Sequence, residues 1–265
     1  LISFRWLSVC YSYSNFIYFM KKKIKYILID NVKTIFYALL IAIAIRSLFI
    51  QPFYIPSSSM EPTLLIGDRI FVSKYSYGYS KHSFPFSPSI YNKRIFKKEP
   101  KIGDLVVFKT PIDNRTDYIK RLIGKEGDSI QFINGEIFLN NKQIFREKIS
   151  QKYNIRCGST TFEVNAYKEM LPNGVKYISV YRKDGTLMNT DVYNVPKDHY
   201  FFLGDNRDCS RDSRFLDSVG YIKNLNLVGK AQFIFFSNDT VKSSILKIWN
   251  LNRSLRVDRF FKKLW

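Results

Sequence analysis

A mostly β domain standing behind a single amino-terminal membrane helix is the architecture this sequence predicts, and three observations predict it. One mostly apolar run, close to Val32–Ile50 and uncharged from Thr34 to Ile45, has the length of a bilayer span, which needs ~20 residues. Beyond Ile50 the chain breaks into short runs rich in aromatic and β-branched residues, punctuated by Gly and Asn turns. No long amphipathic helical pattern interrupts those runs before the carboxyl end. At 265 residues, 46% of them hydrophobic, the chain has enough apolar material for one large domain or two modest ones, and disorder does not describe it.

Taken in order, residues 1–31 read as a cytoplasmic segment, because Lys21, Lys22, Lys23, Lys25 and Lys33 flank the apolar run and basic flanks stay inside. Two readings of residues 1–19 are open: an upstream extension of the reading frame, with Met20 as the natural start, or a second, weak membrane segment. The span is expected over residues 32–50, with TIFYALLIAIAI as its uncharged centre and Arg46 snorkelling to an interface. No small-residue cleavage site comes after it, so it reads as a retained anchor.

Residues 51–245 are expected to form the outer domain. DRIFVSKYSY alternates, GDLVVFK reads as a turn and a buried strand, and DYIKRLIG as a strand closed by glycine. DSIQFINGEIFLNNKQI carries Asn134-Gly135 and Asn140-Asn141 at its turns, a hairpin signal. Two stretches, about 75–98 and 140–196, read as peripheral insertions, the second rich in hairpin patterns. The tail, 246–265, mixes aromatic, aliphatic and basic residues; it fits an amphipathic segment lying on an anionic membrane surface, and equally a terminal strand with a basic loop.

Composition narrows the chemistry. The formal net charge of +20 invites a nucleic-acid or lipid surface, but the lysines are scattered in an Ile-, Asn-, Phe- and Tyr-rich background with no compact basic motif, so no nucleic-acid partner is expected. Cys10, Cys157 and Cys209 are odd in number and lack CxxC spacing, which argues against a disulfide framework and a structural zinc. Neither His82 nor His199 has a partner at metal-ligand spacing or a motif befitting a catalytic triad. No metal or cofactor is expected.

A serine nucleophile would then need another base. A lysine serves if burial strips its charge, since desolvation disfavours the ammonium. Most lysines here lie on polar stretches; Lys120, between Ile119 and Leu122-Ile123, does not. The candidate hydroxyl lies in PSSSMEPTLLIGD, directly beyond the anchor.

Together, PSSSMEPTLLIGD, GDLVVFK, DYIKRLIGKEGD and GDNRDCSRDSR, in this order behind an anchor, resemble the bacterial type I signal peptidases, also called leader peptidases. The resemblance runs from about Arg46 to Phe235 outside the two insertions. It implies a signal-peptidase-like β catalytic domain with a smaller, hairpin-rich inserted subdomain, held by one membrane helix. The implied activity is serine endopeptidase cleavage of signal peptides from exported preproteins after small residues, often Ala-x-Ala, through an acyl-enzyme. The implied place is the bacterial inner membrane, amino terminus in the cytoplasm and catalytic domain in the periplasm. By the same resemblance Ser59 matches the nucleophile and Lys120 its general base. The Ser57 hydroxyl and the Ser59 N–H match an oxyanion hole, Ser210 a serine that hydrogen-bonds the lysine, and Asp212 with Arg214 a bracing ion pair. Substrate pockets are expected from Ile55, Pro56, Met60, Leu64, Tyr118 and Ile119, and QPFYIP should keep the site near the bilayer, where signal peptides emerge.

Two positions depart from the family pattern: Ser58 stands where glycine is usual, and Cys209 where asparagine is usual, with a small buried filler as the favoured reading of the cysteine. Self-cleaving repressors share Ser-Lys chemistry, but an anchor and the lack of an amino-terminal helix-turn-helix count against them. The rival from another class is a non-catalytic, membrane-anchored β domain that binds anionic lipid or nucleic acid. It predicts a function that survives Ser59→Ala and is abolished by salt.

Overall fold

The computed structural model describes residues 3–85, 87–88, 92–158, 160–182, 187–239 and 254–264, with side chains for all of these except 3–19, 21 and 151. The chain divides into two compact units, residues 1–46 and 47–265.

The first unit is one helix, α1 (Ser3–Leu48), which continues unbroken through Met20. Its stretch Lys22–Leu48 is long and apolar enough to cross a membrane, and Ile35, Phe36, Leu39, Leu40 and Ile43 are all exposed. An apolar helix with no polar face and no buried side is stable in lipid rather than in water. The helix stops at Leu48, and Ile50, the last residue of the expected span, is the first residue of a strand.

The second unit is built on an eight-stranded antiparallel sheet. Its strands are β1 (Ile50–Tyr54), β2 (Asp68–Ser73), β3 (Leu105–Lys109), β4 (Asp117–Gly124), β12 (His199–Leu203), β13 (Ile222–Lys223) and β14 (Leu227–Ser237), with β15 (Lys262–Lys263) beside β14. The spatial order is β1-β2-β14-β3-β4-β12-β13. Long β14 pairs β2 through Lys230–Ser237 and β3 through Leu227–Lys230, and its register slips three times. Each slip is a bulge that adds twist and curls the sheet.

Two smaller sheets account for the hairpin-rich middle of the chain. One contains β5 (Ser129–Ile133), β6 (Glu136–Leu139), β7 (Lys142–Gln143) and β11 (Tyr193–Asn194), in the order β11-β5-β6-β7. The other, order β10-β9-β8, contains β8 (Phe145–Cys157), β9 (Thr160–Met170) and β10 (Lys176–Arg182). The first of these sheets begins at Ser129, in the DSIQFINGEIFLNNKQI stretch.

Beneath β1 and β2 lies a core of Ile55, Met60, Leu64, Ile70, Val72, Leu105, Val107, Val228, Ala231 and Ile234. Burying each large side chain there is worth roughly 1.5–3 kcal/mol. Met60 and Leu64, both fully buried, pin down the loop between the two strands. In the tail, Arg259 is buried with both ends of its guanidinium on Asp68, at 3.1 Å and 2.6 Å. Residues 262–263 pair with β14. Trp249, Leu251 and Trp265, which carry much of the amphipathic character of this tail, lie outside the described residues.

Candidate active site

The loop from β1 to β2 delivers the serines. Ile55 N–H donates to Asp68 O, Glu61 N–H to Ser58 O and Leu64 N–H to Met60 O, a tight turn that leaves Ser59 at the edge of the apolar core. On β4, alternation puts Tyr118, Lys120 and Leu122 on one face. The strand's first half has β3 on one side only, because β12 pairs only from Arg121 to Gly124. Lys120 is 3% exposed, and its Nζ lies 2.5 Å from Ser59 Oγ. The Ser57 hydroxyl lies 3.4 Å from that of Ser59.

Burial drives the Lys120 pKa down; Asp212 pulls it up, Arg214 pushes it down and Asp205 pulls it up, and the balance settles at about 8. The Tyr118 ring, 5.6 Å away, also faces the amine. A neutral amine in contact with a serine hydroxyl can take its proton. Neither histidine competes: His82 Nδ1 meets Ser87 Oγ, and His199 Nδ1–H donates to Lys197 O.

The loop Gly204–Arg214 closes over this pair. Asn206 donates its backbone N–H to Ser59 O at 3.2 Å and its side-chain amide to Ser58 O at 3.0 Å. Asp212 and Arg214 form a buried two-point pair at 2.8 Å and 2.9 Å, and Gly204 N–H donates to Asp212. The Ser210 hydroxyl differs from its expected role. It is buried with no hydrogen-bond partner among the described residues, and the Lys120 amine is directed at Ser59 instead.

Two further buried pairs support the loop; Arg121, Asp205 and Arg207 lie in the motifs DYIKRLIGKEGD and GDNRDCSRDSR, but nothing in the sequence shows which charge each one meets. Arg121 meets Asp205 at 2.8 Å and 2.6 Å. Arg207 meets Glu169 of β9 at 2.9 Å and 2.7 Å, and Tyr177 and Tyr181 donate to the same carboxylate. Burial alone would raise the Glu169 pKa, but the guanidinium and these hydrogen bonds outweigh it and hold it at about 2. A paired buried charge is roughly neutral for stability, whereas an orphaned one costs ~3–5 kcal/mol. Glu169→Gln is therefore expected to lower stability by about that amount in urea unfolding, and adding Arg207→Met to recover most of it.

A cavity of about 540 Å³ opens beside Ser59 and Lys120. Its wall includes Ile55, Pro56, Met60, Tyr118 and Ile119 from the expected set, joined by Phe53, Val107, Cys209 and Arg211. Leu64 is a correction: it is fully buried in the core under β2 and does not line the cavity. Its place one helical turn after Met60 turns it inward. Cys209 is also a correction, to the argument against disulfides: it is bonded to Cys157 at the end of β8, with 5.5 Å between the Cα atoms. An odd cysteine count does not exclude a pair; this one depends on the end of β8 meeting the Gly204–Arg214 loop.

Residues 28–236 match the family described as signal peptidase, peptidase S26. The chain is 42% identical over 248 residues to Signal peptidase I of Rickettsia typhi (strain ATCC VR-144 / Wilmington), covering 86% of this chain and 91% of that protein. It is 42% identical over 252 residues to Signal peptidase I of Rickettsia canadensis (strain McKiel), covering 88% and 92%. A crystal structure of a signal peptidase I from Enterococcus faecalis V583 aligns with 22% identity and a TM-score of 0.30, over 50% of this chain and 97% of that one. That superposition is too loose to add to the sequence matches.

Proposed function

This chain belongs to the signal peptidase family, peptidase S26, and on that footing we propose that it cleaves signal peptides from exported preproteins with Ser59 as nucleophile and Lys120 as base. The observation that carries the reading is the buried Lys120 amine 2.5 Å from the Ser59 hydroxyl.

In the proposed reaction the substrate enters as an extended strand along the free edge of β4 near Asp117–Lys120, beside Phe53–Pro56. Side chains of Ile55, Met60, Tyr118 and Ile119 leave room for a methyl group and exclude larger ones. Neutral Lys120 takes the Ser59 proton as Oγ attacks the scissile carbonyl. The developing oxyanion is received by the Ser57 hydroxyl and the Ser59 N–H. Lysine then passes its proton to the leaving amine, and water, deprotonated by the same lysine, hydrolyses the acyl-enzyme.

Lys21, Lys22, Lys23, Lys25 and Lys33, within α1 on the amino-terminal side of its uncharged stretch, favour a cytoplasmic amino terminus, with the β unit outside. The Cys157–Cys209 disulfide supports this orientation, because such bonds persist in oxidising compartments.

The test is incubation of the purified chain in detergent with a model preprotein carrying an Ala-x-Ala site, followed across pH. Only the neutral amine acts, so kcat/KM should climb about tenfold per pH unit in acid and level off above about 8. The groups facing Nζ are Asp212, Arg214, Asp205 and the Tyr118 ring. Asp212, held below the usual carboxylate range by Arg214 despite its burial, adds no step near 8, so the Lys120 ionisation should be seen there. Equal rates at pH 5 and pH 8 would refute a lysine base.

A further inference from the structure

The catalytic loop is fastened to the small sheet β8–β10 by a ladder of contacts. Val180 N–H donates to Asp205 O at 2.9 Å, and Val180 and Asn206 form a β-bridge. Arg207 is paired with Glu169, and Arg182 N–H donates to Asp208 at 2.8 Å. Cys209 packs on the apolar cluster of Ile155, Val164, Ala166 and Val180. Beyond Asp208 the ladder thins. Ser210 is buried but its hydroxyl has no partner among the described residues, Arg211 is exposed, and the next side chain held by buried hydrogen bonds is Asp212. The disulfide from Cys157 falls in that gap, one residue before Ser210, on the wall of the cavity that holds Ser59 and Lys120.

We infer that the Cys157–Cys209 disulfide is a positioning element of the catalytic site, which seals the loop over Lys120 and keeps water from the amine. It rests on the Ser59–Lys120 reading. The physical reason is that, between Asp208 and Asp212, the disulfide is joined only by the packing of Ser210 against Gly204, with no hydrogen bond from the Ser210 hydroxyl. Freed at Cys209, it lifts from the cavity wall; water reaches the amine, and the desolvation that keeps Lys120 neutral is lost. The small sheet thereby acts in the reaction without touching substrate: it is the platform to which the loop is bolted.

The test compares oxidised chain, chain reduced by a phosphine, reoxidised chain, and Cys157→Ser. Two quantities are read: kcat and KM on the model preprotein, and the pH dependence of Lys120 acylation by an amine reagent, followed on its peptide by mass spectrometry. Expected for the reduced chain and Cys157→Ser are a kcat at least tenfold lower, a KM within about threefold, and a Lys120 midpoint moved from near 8 toward the ordinary lysine value of about 10.4. Reoxidation should restore wild-type chain and not Cys157→Ser. Unchanged kcat and midpoint overturn the inference. A fall in kcat accompanied only by a lower melting temperature, with the Lys120 midpoint fixed, also overturns it, since the bond would then serve stability alone. Oxidised chain that cleaves no preprotein would sink the catalytic reading, while the Lys120 midpoint would still decide whether the disulfide shields the amine.

Discussion

Lys120→Met and Ser59→Ala are each expected to bring preprotein cleavage to background, and their combination to lower it no further. On the proposed pairing, hydroxyl and amine act as one unit: without the base the hydroxyl stays protonated, and without the hydroxyl the amine has nothing to activate. Proton transfer by a positioned base contributes ~10²–10⁴-fold, and groups acting together show strongly non-additive losses. Methionine matches the unbranched aliphatic stem of Lys120 and removes only the amine. With its partner 2.5 Å away also neutral, no unpaired charge is left behind. Both variants should keep wild-type circular dichroism and melting behaviour, and Lys120→Met removes a buried ionisable group without opening a hole. The measurement is initial rate of preprotein cleavage by gel, normalised to folded protein. Cleavage above a tenth of wild type in either variant contradicts the pairing, and a double variant far worse than each single one means the two residues do not share a step.

Gly204→Ala is expected to reduce turnover by two orders of magnitude or more, although it adds one methyl group and the residue does not line the cavity beside Ser59. A Cβ at that position would sit 2.2 Å from Ser210 Oγ, 2.4 Å from Ser210 Cβ and 2.5 Å from Ser59 O. Real Cβ atoms do not tolerate such distances, and one of the colliding atoms is the backbone carbonyl of the nucleophile itself. Either the strand end at Leu203 or the Ser59 turn has to move. Asn206 ties the loop to Ser58 O and Ser59 O, so a shift in one carries the other. Misplacement by about 1 Å is enough to cost ~10²-fold in a positioned reaction. The loss should appear in kcat more than in KM, because the cavity wall at Ile55, Tyr118 and Ile119 is on other segments. A kcat within threefold of wild type would mean that the loop yields freely at Gly204 and is not a rigid cover.

Much of the site could be read from the amino-acid order because its parts are local. PSSSM places the hydroxyl, YIKR places the amine on a strand, and the Asp212–Arg214 pair spans three residues of one loop. The anchor could be read because about twenty apolar residues leave few soluble alternatives. Long-range features could not. Arg121 finds Asp205 across 84 positions and Arg207 finds Glu169 across 38, and in sequence these are ordinary charges among 64. Leu64 looks like a pocket residue from its neighbours, and only the turn at Met60–Leu64 shows it facing the core. The Ser210 hydroxyl, expected on the lysine, is instead packed against Gly204.

By itself the sequence determined that the chain has an apolar anchor, a β-rich unit after it and a serine and a lysine carried in neighbourhoods suited to acyl transfer. Those are matters of local composition and spacing, which survive without a fold. Tertiary structure decided that Lys120 is sealed from water, that the Gly204–Arg214 loop is clamped to a separate small sheet, and that Cys157 reaches Cys209. The physical reason is common to all three: the protonation state of an amine and the partner of a thiol or a charge depend on what surrounds them in space. Those surroundings are assembled from segments that lie far apart along the chain.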